Sequence, residues 1–90
     1  MKWNDPIDPV CITVDEVLEK KRDVLVVFHE EGHGGWSLMD GYDTEERKPQ
    51  VVPKEMMLSI DPSLEEITDL EVGFVARRES KGSEWMISKM

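Results

Sequence analysis

The residues of this 90-residue chain best suited to chemistry sit in one short string, His29-Glu30-Glu31-Gly32-His33. Its spacing is that of H-E-x-x-H, in which two imidazoles one helical turn apart hold a zinc ion and the glutamate acts on the bound water. That chemistry needs a helix. Here the preceding run, Val24-Leu25-Val26-Val27-Phe28, is β-branched and aromatic, and Gly32, Gly34 and Gly35 crowd the place where a helix would continue. On an extended strand both histidines face one side but stand about 13 Å apart. Cys11 is the only soft side chain that could act as a third ligand. The spacing therefore predicts a strand ending at His29 and a loop carrying His33, with no metal site. Cys11 has no base beside it and no second cysteine with which to form a disulfide, which suits a reducing cytoplasm. No glycine loop of the phosphate-cradling kind is present. Carboxylates are too numerous for one pair to stand out as acid and base. The expectation is a chain without catalytic residues or cofactor, and not an enzyme.

The carboxylates matter collectively. The net charge is −9 and the pI about 4.6, which argues against nucleic acid as a partner because its phosphates would be repelled. Six acids and no Lys or Arg occur between Glu30 and Glu46: Glu30, Glu31, Asp40, Asp43, Glu45 and Glu46. A second stretch, 61–71, holds five acids and no base. Such runs on small domains are usually solvated faces. The sharper alternative is a docking face for a basic protein, for which Glu30, Glu31, Trp36, Asp40, Asp43, Glu45 and Glu46 form the candidate partner surface.

These residues must be positioned by a small core. Ninety residues make one domain that can bury about 60–65% of its unfolded surface. Apolar residues are 39% and charged ones 34%, too apolar for a disordered tail, and no run approaches the roughly 20 apolar residues of a membrane span. The start of the chain lacks the apolar stretch and cleavage site of a signal peptide. Residues 1–10, with Pro6 and Pro9, read as an extended arm in which Trp3 clasps the domain, and 11–90 as a single domain. Thr13-x-x-Glu16 fits a capping box opening a helix over 14–21 that buries Val14, Val17 and Leu18. Residues 24–28 predict a central strand and 36–40 its antiparallel partner. Residues 41–51 read as a loop, with Pro49 discouraging regular structure.

Pro53 suits the first turn of a helix in which Met56, Met57 and Ile60 share a face. Asp61 then caps a second short helix with Pro62 at its first position, burying Leu64 and Ile67. Residues 72–77 predict a third strand, and the Ser80-Lys81-Gly82-Ser83 turn returns it as a fourth bearing Trp85 and Ile87. Of Arg77 and Arg78, one should pair with carboxylates while the other faces solvent. Met39, Met56, Met57 and Met86 read as core filler, or as an adaptable contact surface. The expected fold is α+β: a four-stranded, mainly antiparallel sheet of two hairpins with two or three short helices on one face.

Across residues 11 to 88 the chain resembles a family of small bacterial proteins of unknown function classed with the immunity protein 33 type of polymorphic-toxin immunity proteins. The resemblance is carried by Cys11-Ile12 with Asp15 and Leu18, by Gly35-Trp36 with Gly41, by Ile60-Asp61-Pro62-Ser63-Leu64, and by Gly73-Phe74 with the arginines after it. Proteins of that family tend to have an acidic residue before the Gly-Trp pair and aromatic residues after it; this chain has Gly34 and Ser37-Leu38-Met39. The resemblance implies an immunity protein that docks on a cognate toxin, and it supplies no catalytic residues to carry over. The alternative is a regulatory domain that binds a small ligand or forms homodimers, with the sheet face opposite the helices as its surface.

Overall fold

The β-branched stretch that opens the described chain sets its architecture. In the computed structural model, which describes residues 10–30, 35–41 and 49–90, Val-Cys-Ile-Thr-Val forms strand β1 (Val10–Val14). It is followed by helix α1 (Asp15–Leu18), β2 (Val26–His29), β3 (Trp36–Met39), β4 (Pro49–Pro53) and helix α2 (Lys54–Ile60). A 3-10 helix (Pro62–Ile67), β5 (Phe74–Arg77) and β6 (Met86–Lys89) complete the order. The strands make one sheet in the order β4-β1-β3-β2-β5-β6. All pairs are antiparallel except β1–β3, which is parallel with Ile12 opposite Ser37.

The protein is thus α+β, but the sheet is six-stranded and mixed rather than four-stranded and antiparallel. Both expected hairpins are present: β2–β3, with His29 opposite Trp36, and β5–β6, with Phe74 opposite Lys89. The two added strands are β1 and β4. The capping box does not form, because Val14, not Thr13, precedes the helix and makes no side-chain cap. Instead the buried Thr13 hydroxyl donates to the Leu38 carbonyl at 2.7 Å, tying β1 to β3 across the parallel pair. Residues 49–51, expected in a loop, belong to β4, where proline is tolerated because the strand lies at the sheet edge. Residue 10 is likewise strand rather than arm; residues 1–9, including Trp3, lie outside the described residues.

Alternation along the strands sends Cys11, Thr13, Val27, Trp36, Leu38, Val52 and Ala76 to one face, and all are buried. Val17, Met57, Leu58, Leu64 and Ile67 from the helical segments join the same core. On α2 the inward residues are Lys54, Met57 and Leu58; Met56, expected to face inward, is exposed. Gly35 is required at the neck of the β2–β3 hairpin. Its carbonyl accepts the Glu30 amide, and a Cβ at this position would overlap the Glu30 carbonyl oxygen. Gly73 enters β5 with φ +91°, a conformation side chains resist.

Candidate functional site

Only part of the sequence-derived surface can be a surface. Glu30 is exposed at the end of β2, whereas Trp36 and Asp40 are each only 1% exposed. Alternation explains Trp36: it faces the core from β3 together with Leu38. Asp40 lies where Arg22 reaches its carboxylate at 3.9 Å. These two residues therefore leave the candidate partner surface. Glu31, Asp43, Glu45 and Glu46 lie outside the described residues, as does His33.

The second acidic stretch is better placed. Asp61 is buried, but Glu65, Glu66, Asp69 and Glu71 are all exposed on and just after the 3-10 helix. The pattern Leu64, Ile67 and Leu70 inward, acids outward, gives that segment one apolar face and one charged face.

His29 does end a strand, and its ring is engaged. It stacks on Trp36 with centroids 4.0 Å apart and planes at 18°, and its Nδ1 lies 2.5 Å from the Leu70 carbonyl. A carbonyl only accepts, so Nδ1 carries the proton in this contact. The Lys54 ammonium sits 5.5 Å from the Trp36 ring. Among the described residues no three His, Cys, Asp or Glu side chains converge in a metal-binding group. The Cys11 thiol is wholly buried.

The most highly organised polar group is one the sequence showed only in pieces. Asp61 caps the 3-10 helix, accepting at Oδ1 from the Ser63 amide at 3.0 Å and the Ser63 hydroxyl at 2.5 Å. Its other oxygen takes Arg78 Nη2 at 2.7 Å. Arg78 also donates from Nη1 to Ser63 Oγ at 2.7 Å and from Nε to the Val24 carbonyl at 2.9 Å, while its guanidinium lies 4.2 Å from the Trp85 ring centre. The side chains of Arg78 and Asp61 are 1% and 5% exposed. Burial alone would raise the Asp61 pKa; the Ser63 hydrogen bonds and the hydrogen bond and charge of Arg78 outweigh it, so the carboxyl is held below its ordinary value. Arg77 faces solvent, so the expected division of labour between the two arginines holds. The legible signals were the Asp61-Pro62 cap and the isolated basic pair. Nothing local in the sequence pointed to Val24 or Trp85 as partners, because they are brought in by β2 and β6.

The two sheet edges differ. β4 has a proline at each end, while β6 has four exposed residues, with Met86 74% and Ile87 56% exposed. No helix among the described residues is long and apolar enough to cross a membrane. Comparison with known protein families, characterised proteins and solved structures returns no match.

Proposed function

We propose that the chain is a non-enzymatic protein-binding module working inside a bacterial cell, an immunity-type protein that neutralises a basic toxin by docking on it. The supporting observation is the Asp61–Ser63–Arg78 group. Asp61, Ser63 and Arg78 are bonded to one another and to the backbone, holding the 3-10 helix against the sheet. Exposed acids, including Glu30, Glu65, Glu66, Asp69 and Glu71, outnumber the exposed bases among the described residues of a chain of net charge −9. Complementary charge of this kind speeds encounter with a basic protein and suppresses encounter with nucleic acid.

The test is co-expression with the product of the gene next to its own, followed by titration calorimetry at several salt concentrations. A one-to-one complex that weakens as salt rises is expected. A toxic neighbour that neither binds the protein nor is neutralised by it would remove this function. A second reading, a homodimerising domain, rests on the exposed Met86 and Ile87 of β6; sedimentation as a dimer at micromolar concentration would support it.

A further inference from the structure

The backbone directions along β5 and β6 follow from one hydrogen bond. The Arg78 amide donates to the Leu25 carbonyl at 3.0 Å, in register with the β2–β5 pairing. Antiparallel pairs alternate between those that exchange hydrogen bonds and those that do not. Ala76 therefore bonds toward β2, and Val75 and Arg77 toward β6; at Phe74 the ladder is interrupted, its amide donating to the Glu71 carbonyl while the Gly73 amide reaches His29. The β6 partners of Val75 and Arg77 are Ser88 and Met86. The Met90 amide, donating to the Gly73 carbonyl at 2.9 Å, fits the same alternation. Ile87 and Lys89 are left with their N–H and C=O groups pointing away from the sheet.

This edge is guarded only by its shortness and by Lys89, which is exposed on the same face as Ile87. β4, at the opposite edge, ends in Pro49 and Pro53, which cannot donate to an added strand. β6 has no proline and exposes Met86 and Ile87 on its two faces, with Met90 half exposed just beyond. Ile87 lies on the helix-bearing face, opposite Ala76, yet the helices do not cover it. The sheet thus extends past its helical layer, leaving a step. The 3-10 helix borders that step, because Ser63 holds Arg78 and Arg78 lies against Trp85, the residue before β6. Glu65 and Glu66, both exposed, follow Ser63 in that helix.

We propose that β6 accepts an extended, basic segment of a partner protein as a seventh strand, its main chain bonded to Ile87 and Lys89 and its lysine or arginine side chains set against the acids beside the step. This deepens the binding-module reading and rests on it. Main-chain pairing supplies affinity in such strand addition, and alternate side chains supply selectivity. A second copy is the poorer occupant, since it would bring a further −9 of charge and the same acidic helix.

The probe is a short synthetic peptide alternating valine with lysine, titrated into the isotopically labelled full chain. The expected result is saturable binding, with the Ile87 and Lys89 amides newly protected from hydrogen exchange. Ile87→Pro should weaken binding at least about tenfold while leaving the ladder to β5 intact, since the N–H it removes faces outward. Ile87→Lys, which keeps that N–H but adds a like charge, should also weaken it. Binding without protection at 87 and 89, equal binding by Ile87→Lys, tighter binding of a valine–glutamate peptide, or occupation of the edge by a second copy would each overturn the proposal. In all four cases the binding-module reading would still stand or fall by its own complex-formation test.

Discussion

Replacing Arg78 with methionine tests how the fold is clasped. The substitution keeps an apolar stem but removes bonds to Val24, Ser63 and Asp61 and the charge beside Trp85. Three hydrogen bonds involving a charged group, at about 1.5–3 kcal/mol each, would sum to roughly 4.5–9 kcal/mol if independent. They share one side chain, so they are not independent. The appropriate comparison is a buried ion pair broken on one side, which costs about 3–5 kcal/mol because the remaining charge is stranded. Asp61, 5% exposed, would be that charge. A domain of this size is stable by roughly 5–14 kcal/mol, so the variant should fold with a melting temperature lower by at least about 12 °C. Urea unfolding followed by tryptophan fluorescence reads this directly, since Trp36 is in the core and Trp85 borders the clasp. The double variant Asp61→Asn with Arg78→Met keeps the cap on Ser63 and strands no charge. It should be more stable than Arg78→Met alone by about 1–3 kcal/mol. A loss below about 1 kcal/mol for Arg78→Met, or a double variant as damaged as the two single effects added, would refute the reasoning.

Three further outcomes follow from the same structure. Asp61 has its folded-state pKa depressed, so its contribution to stability is complete above the unfolded value of about 3.9 and is lost as pH falls through the folded value. Acid unfolding below about pH 4, monitored by circular dichroism, should therefore be less steep in Asp61→Asn. Gly35→Ala should destabilise by about 1–3 kcal/mol in urea, because the added methyl meets the Glu30 carbonyl, which is backbone and cannot swing aside. The Cys11 thiol should react with a chromogenic disulfide reagent only at the rate of unfolding; rapid labelling in native buffer would contradict its burial in β1.

Those parts of the fold governed by neighbours in sequence were legible. Asp61-Pro62-Ser63 reads as a cap because the accepting carboxylate and the donating amide are two residues apart. The hairpins read from alternation and turn residues. Thr13 misled because its hydroxyl has two possible uses: a helix cap, which is local, or the Leu38 carbonyl twenty-five residues away, which the fold selects. β4 was hidden by its prolines, whose penalty applies to a strand's interior bonds and not to the outer side of an edge. The acidic character of the stretch around Trp36 and Asp40 points to a surface, although the alternation in Trp36-Ser37-Leu38 already faces Trp36 inward. The acids of the 3-10 helix were legible as charge, but the clasp that holds that helix depends on Arg78 meeting Ser63 and Trp85 across the fold.

The parallel contact between β1 and β3 has a consequence for how the chain can be shortened. β4 touches the sheet through β1 alone, so the first strand is a bridge and not a margin. Trimming past Val14 would detach two strands at once and uncover Leu38 and Trp36 along the resulting gap. During synthesis the same dependence holds: Val10–Val14 is made before both of its neighbours, β3 and then β4. Such long-range closure is slow relative to hairpin formation. The central hairpin should therefore be assembled before the opening strand finds its slot.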